Sequence, residues 1–318
     1  MRIMFIDPPP KTPRSTWLIT LLASLWMAFV GNAVLWRSLS SVPDISGWHG
    51  VGFGLAFGCM IAGVLCTLMA MFAWRWLFKP VISLLLLLTA FATYYMWMYG
   101  IVVDTPMVIN VFQTDAREAR DQLSWQLLVT VLLMAVLPIV ALWRQHVVYG
   151  SFKQQLISNL GVAAGGLIVT IAFTFWVFQD FASLMRNHTQ LRYQINPLNS
   201  IYAVFDMTVI PAEQPRVPMQ PLGEDAHIVA RTDPVPQHPP LLVLVLGETA
   251  RSHNFSLNGY ARNTNPQLER LPVLSYRRVT SCGTSTAASV PCMFSHLGRN
   301  GYDKRPANYE SVLDVLQR

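Results

Sequence analysis

The hydrophobic pattern divides the chain in two. Five long apolar runs lie near 15–36, 49–74, 81–100, 123–143 and 156–178. Each is long enough to cross a bilayer core, which takes roughly 20 helical residues. The pattern predicts an α-helical transmembrane bundle of five helices. The first run is long, Trp-flanked and without a small-x-small cleavage site, so it reads as a span rather than a signal peptide. Residues 179–210 mix aromatics with Arg186, His188 and Arg192, as a segment lying on the membrane surface does. Residues 211–240 hold many prolines and end "PVPQHPP", the composition of a stiff linker. The run "LLVLVLGE" at 241–248 then reads as a buried parallel strand opening a new domain. The expected division is a membrane domain at 1–180, an interfacial segment and linker at 181–240, and a second domain at 241–318.

Composition agrees. Only 13% of the 318 residues are charged, against about 25% in soluble domains. The net charge of +6 beside a membrane half points to anionic headgroups. No basic-aromatic motif argues for nucleic acid. Basic residues also orient the spans. Arg2, Lys11 and Arg14 precede the first, Arg75 and Lys79 join the second to the third, and Arg144 and Lys153 join the fourth to the fifth. The opposite loops carry Arg37 alone, then Arg117 and Arg120 against Asp104, Asp115, Glu118 and Asp121. This predicts a cytoplasmic N-terminus and, after five crossings, a C-terminal domain outside the cytoplasm. In a bacterium that is the periplasm, where a disulfide persists.

Three stretches carry candidate chemistry. In "NVFQTDAREARD", Asn110, Thr114 and Glu118 recur every four residues and on a helix would share one face. That face is either merely solvated or a polar platform able to meet a headgroup. Glu248 ends the predicted strand, where ligands gather in open α/β sheets. It is either a carboxylate favoured by the dipole of a following helix or a metal ligand. In "SCGTSTAASVPCMFS" (281–295), Cys282 and Cys292 bracket a hydroxyl-rich run. A bridge between them would fix the backbone around Thr284, Ser285 and Thr286, and Gly283 permits a tight turn or a close approach. A helix starting near Thr286 would favour an alkoxide, or a phosphate on that hydroxyl. Pro291 leaves a second possibility, a helix restarting there with Ser289 as its cap. A stapled, capped turn with no chemistry also fits. His227, His253 and His296 read as isolated surface or core histidines.

These stretches closely resemble the lipid A phosphoethanolamine transferases, including the mobile colistin-resistance enzymes. "LVLGETARSHNFSLNGYARNTNP" and "TSCGTSTAASVPCMFS" carry the likeness in the second half, and "YGIVVDTPMVINVFQTDAREA", "FASLMRNHTQL" and "LGEDAH" extend it upstream. The resemblance implies a five-helix inner-membrane bundle followed by an α/β domain of the alkaline phosphatase and sulfatase type. It implies Thr286 as nucleophile, Glu248 and Thr286 at a Zn2+ ion, a Cys282–Cys292 disulfide, and phosphoethanolamine binding at Asn110, Thr114 and Glu118. The implied reaction moves phosphoethanolamine from phosphatidylethanolamine to lipid A, and no obligate protein partner is implied.

The family's remaining zinc ligands lie beyond the part matched here. After Thr286 the candidates are His296, Asp303, Glu310 and Asp314, and none matches a ligand motif of the family. A catalytic zinc usually takes three protein ligands. The expectation is therefore a partial α/β domain in a chain that binds zinc weakly and lacks activity as it stands. Two other readings stay open: a phosphoethanolamine transferase for lipopolysaccharide core sugars, and an inactive membrane-bound fragment that binds lipid headgroups. A sulfatase-like hydrolase would need a modified Cys or Ser nucleophile motif, which is not seen.

Overall fold

The computed structural model describes residues 14–43, 45–213, 219–227, 241, 243–247, 249–283 and 286–317. The chain forms two compact units, Met1–Glu213 and Gln214–Arg318.

The first unit is helical. Helix α1 (Thr16–Leu25) runs through a π-helical turn, Trp26–Val30, and after Gly31 and Asn32 gives way to α2 (Ala33–Ser40). Helices α3 (Gly47–Met71), α4 (Phe78–Tyr99) and α9 (Phe152–Trp176) are unbroken, while α7 (Trp125–Val131) and α8 (Leu137–Arg144) join through another π-helical turn. Among the described residues, four helices are long and apolar enough to span a membrane. The first pair, bent by 45°, makes a fifth if counted as one span. The predicted bundle is therefore present, with its first member broken.

Burial separates a centre from a periphery. About half of the α3 and α4 spans is buried, against 17% of α7–α8 and 11% of α9. Phe53, Phe57, Leu65, Met69, Phe78 and Ile82 fill the centre. Where α3 meets α9, small residues bring the backbones together. A Cβ on Gly63 would stand 2.6 Å from the Gly166 carbonyl. The Thr67 hydroxyl crosses the seam to the Ala163 carbonyl at 3.1 Å. Close backbone approach and interhelical hydrogen bonds are what hold helices together in lipid.

The basic connections gather at one end. Strand β1 (Arg14–Ser15) pairs in parallel with β2 (Val147–Val148). Lys79 donates to the Gln145 carbonyl at 3.0 Å. Trp74 stacks on Phe152, ring centroids 5.1 Å apart. Buried Gln155 donates to Asn159 Oδ1 at 2.7 Å and Thr16 Oγ1 at 3.2 Å. Between α4 and α7 lie α5 (Thr105–Gln113) and α6 (Ala116–Asp121); α10 (Phe178–Asn187) and α11 (Leu198–Glu213) end the unit. Helix α10 sets Leu184, Phe181 and Met185 on the core and leaves Gln179, Ser183 and Arg186 exposed, as a surface-lying helix does.

The second unit holds α12 (Thr286–Met293), α13 (Gly298–Asp303), α14 (Val312–Gln317) and short 3-10 turns. Residues 219–227, within the expected linker, are tied to its end. Gln220 N donates to the Asn308 carbonyl, Glu310 N to the Gln220 carbonyl, and Leu222 N to the Glu310 carboxylate. Leu242 and Glu248 lie outside the described residues. The rest of 241–247 does not form the buried strand expected of it. It pairs with no strand among the described residues, and Val243, Leu244 and Val245 are 69%, 63% and 84% exposed. A parallel strand is buried only when neighbours flank it and helices cover both faces. The described part of this unit supplies neither.

Candidate functional site

In the membrane unit, Asp104 caps α5: its carboxylate accepts from Met107 N at 3.0 Å, and Pro106 sits in the first turn. Asn110 is half-buried on this helix. Thr114 ends it, turning extended at ψ 128°. Its N–H and its hydroxyl both donate to the Asn110 carbonyl, at 2.9 and 2.8 Å. The structure thus brings Asn110 and Thr114 together. The single helical face expected for Asn110, Thr114 and Glu118 is not realised. Glu118 sits on α6, a separate helix beginning at Ala116. The break follows from Asp115, whose carboxylate accepts from Arg117 N at 2.8 Å and so offers the backbone a local alternative to a continuous helix. The Asn110 amide and the Thr114 oxygen remain as neutral donors and acceptors suited to a phosphate ester or an ammonium.

In the second unit, Cys282 and Cys292 form a disulfide with Cα atoms 6.3 Å apart. Cys292 is buried on α12, so the bridge ties the loop before the helix to the helix body. Helix α12 starts at Thr286 and passes through Pro291. This removes the possibility of a helix restarting at Pro291. Thr286 is exposed at the first helical position, where the helix dipole favours negative charge. Gly283 serves a close approach: a Cβ there would stand 2.8 Å from the Ala288 Cβ. Among the described residues of the stapled segment, the geometry therefore places the Thr286 hydroxyl at a helix N-terminus.

Glu248 lies outside the described residues. Its neighbour Thr249 has φ 49°, the single non-glycine residue in the left-handed region among those described. A β-branched residue there is strained, a feature that sequence reasoning missed and that no composition signal carries. His296 packs edge-on against Tyr309 at 5.1 Å, and His227 Nδ1 lies 3.0 Å from the Asp225 carbonyl. Among the described residues, no three His, Cys, Asp or Glu side chains come together to hold a metal ion.

Matches to known proteins follow the same division. Residues 61–210 match the phosphoethanolamine transferase EptA/EptB family and residues 240–318 the sulfatase family. Phosphatidylethanolamine transferase Mcr-2 of Escherichia coli is 34% identical over 93% of this chain and 55% of its own length. Phosphoethanolamine transferase EptA of E. coli K12 is 32% identical over 97% of this chain and 56% of its own. The solved structure of the integral membrane lipooligosaccharide phosphoethanolamine transferase A (EptA) from Neisseria meningitidis superposes with a TM-score of 0.82 at 28% identity, over 97% of this chain and 57% of that one. The chain thus spans about half the length of the relatives it matches. Over that span, a membrane bundle followed by a sulfatase-like segment, the chain is similar to the phosphoethanolamine transferases.

Proposed function

We propose that the protein transfers phosphoethanolamine from phosphatidylethanolamine to a phosphate of lipid A, at the periplasmic face of a bacterial inner membrane. Thr286 is the nucleophile. Its hydroxyl oxygen bonds to the lipid's phosphorus, the bond to the diacylglycerol oxygen breaks, and that oxygen takes the proton. A lipid A phosphate oxygen then attacks the same phosphorus, the bond to Thr286 breaks, and the departing threonine oxygen takes the attacking phosphate's proton to restore the hydroxyl. Asn110, Thr114 and Glu118 bind the headgroup. The added ammonium offsets negative charge on lipid A, so cationic peptides such as polymyxins bind it less.

The observation that supports this reading is the coincidence of Thr286, at the start of α12 and bracketed by Cys282–Cys292, with family matches on both sides of the linker. Zn2+ belongs to the reading through Glu248 and Thr286, where it would neutralise phosphate oxygens and acidify the hydroxyl. The described residues alone do not make up a metal site, so the steps above rest on the chain's own groups.

The test is mass spectrometry of lipid A from cells expressing the protein, with Thr286→Ala beside it. A phosphoethanolamine adduct on lipid A that Thr286→Ala abolishes is the expected result. An adduct on the core sugars would move the acceptor. No adduct on either, with headgroup lipid still bound, would favour a non-catalytic headgroup-binding protein.

A further inference from the structure

In the membrane unit, a series of hydrogen bonds leads from the break in the first span to the helix bearing Asn110. The break leaves Asn32 between α1 and α2, only 1% exposed. Its Nδ2 donates to the Met27 carbonyl at 2.9 Å and to the Asn196 carbonyl at 2.8 Å. Its Oδ1 accepts from Asn196 N at 2.7 Å. One side-chain amide thus pairs with both backbone groups of a residue 164 positions away. Asn196 leads into α11. From that helix Asn199 Nδ2 donates to the Val103 carbonyl at 2.6 Å, and the Asp206 carboxylate accepts from Thr105 Oγ1 at 2.6 Å. Val103 and Thr105 flank Asp104, the cap of α5.

Little else fixes α5. Among its described residues only Val108 is buried, and Val111 and Phe112 are 59% and 72% exposed. Its start is held by α11, and α11 is held at its entry by Asn32. Removing one partner of a buried hydrogen bond leaves the other unsatisfied and costs stability, so a role in aiming α5 is read from the affinity of the folded protein beside its melting. What these particular bonds supply is direction.

We propose that Asn32, Asn199, Asp206 and Thr105 are positioning residues that aim the Asn110–Thr114 face of α5 at the phosphoethanolamine headgroup. The proposal rests on the headgroup reading of Asn110 and Thr114. The experiment measures binding of short-chain phosphatidylethanolamine to the full 318-residue chain in detergent, with phosphatidylglycerol as control, alongside thermal melting. Thr105→Val, which loses one hydrogen bond, should weaken binding about fivefold, and Asn32→Leu, which loses three, should weaken it at least as much. Thr105→Ser keeps the hydroxyl and should bind as the parent does. Thr105→Val serves if Asn32→Leu does not fold. A merely structural role would lower the melting temperature and leave the affinity of the folded protein alone; with Asn110→Ala still abolishing binding, that outcome overturns the proposal. If Asn110→Ala leaves binding unchanged, the headgroup reading itself falls and takes the proposal with it.

Discussion

Cys282 and Cys292 are joined across ten positions with their Cα atoms 6.3 Å apart, one in the loop before α12 and the other buried on the helix. The bridge closes the segment that contains Thr286. Chain entropy assigns a loop of this size on the order of 2–3 kcal/mol. The double change Cys282→Ser with Cys292→Ser should therefore lower the unfolding free energy of the second unit by about that amount. Limited proteolysis with and without reductant reads it directly: cleavage near 283–285 should appear in the variant and in the reduced parent. Equal resistance in all samples would mean that the staple does not order the loop.

Thr249 sits at φ 49°, beside the position that family resemblance assigns to a metal ligand. The left-handed region costs an ordinary residue about 1–2 kcal/mol, and glycine is spared that cost. Thr249→Gly should stabilise the second unit by somewhat less, since glycine also loses more entropy on folding, a net of about 0.5–1 kcal/mol. Thr249→Ala removes the β-branch and keeps the Cβ, so it should recover little. Chemical denaturation of the three proteins checks the order. A glycine variant less stable than the parent would show that the threonine side chain contributes more than its backbone costs.

Much of the membrane half was legible in the apolar runs, because lipid obliges each span to be a helix with its own hydrogen bonds satisfied. Two breaks were not legible. The one after Val30 is closed by Asn32 pairing with Asn196, a contact far along the chain that no local window contains. The one at Thr114 depends on Asp115 taking up Arg117 N, and a four-residue polar spacing runs across it without a sign. In the second unit the close approach at Gly283 followed from local chemistry, and the start of α12 at Thr286 was one of the two positions that chemistry left open. The run at 241–247 did not become a strand, because an apolar run states what it needs covered and not what covers it.

The α3–α9 seam is tight enough to predict from. A Cβ on Gly166 would stand 2.6 Å from the Gly63 carbonyl and 2.7 Å from Thr67 Oγ1. One of these neighbours is backbone, so the helices must part. Gly166→Val should cost on the order of 1–3 kcal/mol. It should also weaken the Thr67 bond to the Ala163 carbonyl. At Gly161 and Gly165 a Cβ would point into open space, so Gly165→Ala should leave the melting temperature in detergent unchanged or slightly raised. If Gly166→Val and Gly165→Ala melt alike, the seam is not what holds α9.

Asp314 closes the last helix on itself. Its Oδ2 accepts from both the backbone N–H and the hydroxyl of Ser311, each at 2.7 Å. These bonds favour the ionised carboxylate, the backbone one most, and hold its pKa below the ordinary value. A depressed carboxylate stabilises the fold above its unfolded-state pKa, and that stability is lost as pH falls through the folded-state pKa. The start of α14 should therefore be closed at neutral pH and open progressively as the pH drops below about 4, the usual carboxylate range. Hydrogen exchange at the Ser311 amide, corrected for its intrinsic pH dependence, should lose protection over that window. In Asp314→Ala the same amide should be unprotected at neutral pH and show no such step. A protection step at the same pH in both proteins would place the titrating group elsewhere.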